Sequence, residues 1–331
     1  MCGWAFFFVA GLRAEAPLWP LSGDRPLEVA GLEARLQPTA SGEPSSALFG
    51  CVRNNGGRFH EGLDLAPVLP RQGGEPVDPV LAIHEGRVVH LSPDPGKSSY
   101  GRYVVIEHEH LRPAFYSLYA HLSDISPRLQ VGDWIAAGTS VGTMGRSAAG
   151  YVIPRERAHL HFEVGLRLTD QFQSWYDRQD FGSPNEHGNY NGMNLVGLDP
   201  VAYLFFDQRD AGLSPFETIP PALLLQVRSN RRPSLLRRSP AMQLPADQAG
   251  PVVGWEITVS AWGLPLTFKP LTAAAIDPDL KEGAVRVLAY DATLLEQYAC
   301  REIVRMNSGR VLLGSGGQAL MSLLFEGAEA F

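Results

Sequence analysis

Apolar positions in the first half of this chain come in short runs cut by glycine and proline. Val80-Leu81-Ala82-Ile83, Gly86-Arg87-Val88-Val89-His90-Leu91, Tyr103-Val104-Val105-Ile106-Glu107 and Ala114-Phe115-Tyr116-Ser117-Leu118-Tyr119 are each of strand length. None extends into a helical period, so residues 46 to about 166 predict an antiparallel β core. Residues 17–45, rich in Pro, Gly and Ala, read as a lead-in with a strand or two. The Gln- and Asn-rich stretch 167–198 reads as a long loop insertion, a length at which loops tend to be functional. Asp199 to Phe206 reads as an apolar element closing a first domain over 46–206.

Further on, Leu223-Leu224-Leu225-Gln226-Val227, Trp255 to Trp262 and Ala284 to Tyr290 predict strands of a second, smaller β-rich module over 213–331. Ala292 to Met306 predicts a short helix there. Trp255 and Trp262 suit either its core or a sugar platform.

The 331 residues suffice for two cores, and 45% apolar with 19% charged residues is ordinary for a globular protein. A net charge of −7 argues against a nucleic-acid partner, leaving a local cluster at Arg228, Arg231, Arg232, Arg237 and Arg238 that reads as a solvated edge. The apolar run Cys2 to Leu12, followed by Ala14-Glu15-Ala16, resembles a secretory leader over 1–16 without its basic start. The competing reading is a buried terminal strand or helix. The run is too short to span a bilayer, and no later segment predicts a stable membrane span. If the leader is removed, Cys51 and Cys300 remain as a possible bridge between the two modules.

Chemistry enters with His60, Asp64 and His161. Two imidazoles and one carboxylate make a catalytic-type Zn2+ set with one position left for water. On a straight strand the Cα atoms of His60 and Asp64 would lie about 13 Å apart, too far for one ion. The chain must bend between them, and Gly62 offers freedom of dihedral angle there. His159-Leu160-His161-Phe162 alternates, so both histidines share a face while Leu160 and Phe162 enter the core. His159 is then placed beside the metal water. His121, on the face of Tyr119, supplies a second proton-handling group. Which of His121 and His159 is the general base stays open. Glu61 and Glu163 are weaker candidates, His108 could support a ligand from behind, and His187 could be a lid residue.

These residues carry a family likeness. Phe49-Gly50, Phe59-His60-Glu61-Gly62-Leu63-Asp64, Gly86-Arg87-Val88-Val89, Tyr100-Gly101-Arg102, Tyr119-Ala120-His121-Leu122, Gly142-Thr143-Met144-Gly145 and His159-Leu160-His161-Phe162-Glu163 resemble, in order and spacing, the lysostaphin/LytM-type zinc metallopeptidase family. The likeness covers about 45–165, with Asp199 to Leu204 resembling the family's closing strand. It implies a mainly β, duplicated-hybrid-motif core, zinc on His60, Asp64 and His161, and catalytic His121 and His159. It also implies a secreted or periplasmic endopeptidase that cleaves peptidoglycan peptide. Some relatives that have lost ligands regulate wall amidases instead; the alternative here is such a wall-binding or amidase-regulating protein with a retained metal site. Loops Pro67 to Asp78 and Ser147 to Arg157 look longer than the family's compact form and, with 167–198, are expected to rim the groove.

Overall fold

The computed structural model describes residues 16–206, apart from 24 and 27, and 215–325. The expected leader thus lies outside the described residues except for its last position. The chain is mainly β and antiparallel throughout its named strands, as the sequence predicts.

The N-terminal part holds β1 (Gly50–Arg53), β2 (Arg58–His60), β3 (Leu63–Leu65), β4 (Pro79–Leu81), β5 (Gly86–Ser92), β6 (Arg102–His108), β7 (Phe115–Leu122), β8 (Asp124–Ile125), β9 (Trp134–Ile135), β10 (Ser140–Thr143), β11 (Leu160–Arg167) and β12 (Leu195–Leu198). The main sheet runs β12-β11-β7-β6-β5-β9, with β3 also pairing β11. Strand β11 is its pivot. Its N-terminal half pairs β3, its C-terminal half pairs β12 on the same edge, and β7 takes the other edge.

Alternation along β11 sends Leu160, Phe162, Val164 and Leu166 into the apolar core. The opposite face carries His161, Glu163 and Arg167, and it is buried as well. Buried charge needs a partner, and each has one. His161 meets Glu163, and Arg167 meets Glu107, which also takes Arg238 at 2.5 Å. Arg238 is thus a structural cation and not part of a solvated edge.

The stretch 167–198 is not an open loop. It contains helix α1 (Phe172–Asp177), whose Phe172, Trp175 and Tyr176 are buried, and it ends in β12. The spacing of those aromatics is a helical signal masked by the surrounding Gln, Asn and Gly. The closing element is also a correction. Pro200–Leu204 is helix α2, started by the Asp199 carboxylate accepting from the Val201 N–H at 2.8 Å and by Pro200 in the first turn.

In the C-terminal part, β13 (Leu223–Val227), β14 (Gly254–Val259), β15 (Pro265–Leu271) and β16 (Val285–Tyr290) form a sheet ordered β15-β14-β13-β16. Helix α3 (Leu235–Arg238) carries Arg238; α4 (Ala292–Gln297) is shorter than the predicted helix, because Val304–Asn307 is already β17, paired with β18 (Arg310–Leu313) ahead of α5 (Ser315–Leu324). Trp255 and Trp262 are buried, which excludes an open sugar platform.

This part braces the β1–β2 hairpin. Trp262 Nε1–H donates to the Gly197 carbonyl at 2.8 Å, and its ring meets Phe49 edge-on at 5.6 Å. The Arg301 guanidinium lies 4.7 Å over Phe59, and Cys51 is disulfide-bonded to Cys300.

Candidate metal centre

Strands β2 and β3 are separated by only Glu61 and Gly62, and the chain turns there so that His60 and Asp64 meet. The reason for glycine differs from the one expected. Its φ is not left-handed; a Cβ at Gly62 would stand 2.4 Å from the Phe162 carbonyl oxygen and 3.0 Å from His161 Cε1. Glycine lets the turn press against β11. Asp64 then pairs in register with His161 across β3 and β11.

Three atoms converge. His60 Nε2 and Asp64 Oδ1 are 3.1 Å apart, His60 Nε2 and His161 Nδ1 3.1 Å, and His161 Nδ1 and Asp64 Oδ1 2.9 Å. Donors around one zinc ion at its usual bond lengths would be about 3.3 Å apart. Among the described residues this is the one group of three or more such side chains that could hold a metal.

The outer nitrogens show which lone pairs face inward. His60 Nδ1–H donates to the Leu48 carbonyl at 2.8 Å, and His161 Nε2–H donates to Glu163 Oε1 at 2.9 Å. Both inner nitrogens are left as acceptors, opposite a carboxylate oxygen. Three acceptors at such separations call for a shared cation. The electrostatics agree. A positive charge is favoured there even as a bound proton: burial lowers the His161 imidazole, but Asp64 and Glu163 more than reverse this and raise it to about 10. Burial would push the Asp64 carboxyl up, and His60, His159 and His161 hold it well below the usual range. The residues therefore fit a resident divalent metal.

Two more imidazoles border the cluster. His159 Nδ1–H donates to the Arg157 carbonyl at 2.7 Å, and its Nε2 lies 3.5 Å from Asp64 Oδ2. His121 Nδ1–H donates to the Ser147 carbonyl at 2.9 Å. The two rings are 4.8 Å apart, edge to face. Burial lowers both below the ordinary histidine range, His121 strongly, with the neighbouring imidazoles adding to it. Burial thus favours the neutral ring at each, with Nδ1 as its donor.

His121 does not share the face of Tyr119. The φ of His121 is +60°, and the β6–β7 register shifts between Arg102 and Val104. Tyr119 stays in the core against Phe162 while His121 swings to the cluster. A left-handed backbone at a non-glycine residue costs about 1–3 kcal/mol. Gly101, itself at φ +63°, permits the close approach of the Ser147 backbone that His121 binds.

Several participants carry no motif. The Arg53 guanidinium meets Asp64 Oδ2 at 2.5 Å from the other side of the β1–β2 hairpin. Tyr100 and Tyr116 donate to the two oxygens of Glu163, at 2.6 and 2.9 Å. Glu163 thus orients His161 and is itself oriented. Its place was readable, since 159, 161 and 163 alternate on one strand face; the positions of Arg53 and the tyrosines depend on packing between strands. His108 supports no ligand, for it hydrogen-bonds the Glu85 carbonyl and Ser117 at the far end of the sheet.

The cluster lies in a groove of about 470 Å³. Tyr151, Val152 and Arg157 line it from the 147–157 loop, and His187 and Met193 from the 167–198 stretch. His187 is buried, with Nε2–H toward the Lys97 carbonyl at 3.1 Å. The 67–78 loop is not among the lining residues. It anchors the 147–157 loop instead, through Arg71 to the Arg155 carbonyl at 2.7 Å and Glu75 to Arg146 and Arg155.

An antiparallel β domain with a buried two-histidine, one-aspartate cluster in a groove is an architecture suited to a metallopeptidase. Residues 58–172 match the model of peptidase family M23, and the chain carries a domain of this lysostaphin/LytM-type family. Among solved structures it is similar to the catalytic domain of lysostaphin from Staphylococcus simulans, at 21% identity and TM-score 0.28, over 45% of this chain and 81% of that one. A zinc-containing peptidase from Vibrio cholerae is 22% identical with TM-score 0.30, over 53% of this chain and 37% of that one. The catalytic domain of the prophage-encoded M23 protein EnpA from Enterococcus faecalis is 26% identical with TM-score 0.26, over 35% and 75%. No curated protein matches the chain.

Proposed function

We propose that this protein is an extracytoplasmic zinc endopeptidase that hydrolyses peptide bonds of peptidoglycan. We infer that 46–206 is its catalytic unit and that 213–331 braces the hairpin carrying His60. The observation that carries the reading is the convergence of His60, Asp64 and His161 beside two neutral imidazoles at the base of a groove. Zinc held by these three residues would supply an acidified water and a positive charge for a peptide carbonyl oxygen. His159, neutral and 3.5 Å from Asp64, accepts the proton of the attacking water and returns it to the leaving amine. His121 shares this proton traffic, its Nδ1 fixed by Ser147. Glu163 keeps the His161 lone pair aimed inward. The Cys51–Cys300 bridge suits an oxidising compartment, and no helix among the described residues is long and apolar enough to cross a membrane.

The test is digestion of insoluble peptidoglycan by the purified chain, before and after chelation and with zinc restored. New amino termini should appear, vanish with chelator and return with zinc. A zinc-loaded chain that releases no amino termini overturns the reading.

A further inference from the structure

Strands β1 and β2 set Arg53 directly opposite Arg58. Like charges facing each other across a strand pair are unfavourable unless something neutralises them. Asp64 takes Arg53. Among the described residues no carboxylate pairs with Arg58, which is exposed, or with Arg157, which is half-buried. Both line the groove.

Neighbouring cations are treated differently. Arg146 and Arg155 share Glu75, and Lys97 on the groove wall pairs with Glu186 at 2.7 Å. Besides burial, Tyr151 feels Asp64 first and then Arg53 and Arg58, whereas Tyr100 and Tyr116 feel Glu163 first and also Glu61, the other groove carboxylate besides Asp64. With Asp64 paired to Arg53, Arg58 is left as a further cation near Tyr151, while Glu61 lies toward Tyr100. Tyr151 and Val152 stand exposed on the groove wall, at 50% and 80%.

We propose that Arg58 and Arg157 form a carboxylate-binding subsite, which selects peptides bearing a free carboxylate next to the scissile bond. This rests on the peptidase reading. A peptide offers carboxylates as its anionic groups, and the guanidinium fork matches them. Polypeptide bridges without acidic groups leave both arginines unpaired and are poor substrates.

The test compares two synthetic cross-linked stem peptides that differ in one group, a free carboxylate beside the scissile bond or its primary amide. The zinc-loaded wild type should cleave the acid with kcat/KM about tenfold higher, mostly through KM. Arg58→Gln and Arg157→Gln should each shrink this ratio, and the double variant should bring it to about one, with zinc content unchanged. A wild-type ratio near one, or an unchanged ratio in the double variant, overturns the subsite. If neither peptide is cleaved, the peptidase reading fails separately. Calorimetric titration of the same two peptides then decides the subsite. Tighter binding of the acid to wild type alone supports it, and equal binding refutes it.

Discussion

Histidines occupy both ends of strand β7 and its neighbours, and the two ends treat them oppositely. His121 lies near the C-terminal end of β7, beside His159, His161 and the Asp64 carboxylate. His108 pairs with Phe115 at the other end, beside His84. There His84 hydrogen-bonds the Tyr203 hydroxyl at 2.8 Å, and His108 bonds the Glu85 carbonyl at 2.8 Å and Ser117 at 2.9 Å. Neither ring hydrogen-bonds a carboxylate. Burial lowers His84 to about 4 and His108 to about 3, aided by His110 nearby. His161 is just as enclosed, yet two carboxylates raise it to about 10. Enclosure alone makes an imidazole inert; enclosure with carboxylates makes a seat for a cation.

The sharpest way to break this contrast is to remove a donor. His161→Ala should lose bound zinc and hydrolysis together, whereas His159→Ala should keep zinc and lose about 10²- to 10⁴-fold in rate. Elemental analysis beside a peptide-release assay reads both. Zinc lost from His159→Ala and kept by His161→Ala would exchange their roles. A smaller effect is expected from Glu163→Gln, which leaves the donors intact and weakens their orientation. Zinc affinity should fall about 10- to 100-fold, measured by chelator competition; an unchanged affinity would reduce Glu163 to packing.

The smallest effect belongs to the other histidines. His84 and His108 are neutral in the fold, so below about pH 6.5 the unfolded chain binds protons first. Their contribution is complete above that pH and is lost as pH falls toward 4. Between pH 7.5 and 5 each should cost about 2 kcal/mol of stability. Urea titrations of the zinc-free chain at the two pH values, with His108→Gln as control, measure it. The variant should show a shallower dependence; an equal slope would place the acid sensitivity elsewhere.

How much of this was legible in the sequence follows from range. Strand texture and the alternation of His159 to Phe162 are local, and the antiparallel β core follows from them. The spacing of His60 and Asp64 forced a bend, correctly located, although Gly62 serves close approach and not a special dihedral angle. His121 was readable as a histidine after a strand, but its turn away from Tyr119 comes from a register shift between strands. Helix α1 was hidden because three aromatics sat among loop-forming residues. Arg53 depends on hairpin register, and the tyrosines on Glu163 depend on strand packing. None leaves a short-range mark.

Cys51 and Cys300 are 249 residues apart, so their bond closes most of the polypeptide into a ring. One backbone cut anywhere inside that ring opens it without releasing a piece. Proteolytic nicking at the exposed Arg231 or Arg232 would leave the strand bearing His60 still tied to the C-terminal sheet. In surroundings crowded with proteases, such a molecule would run intact on a gel until a reductant is added.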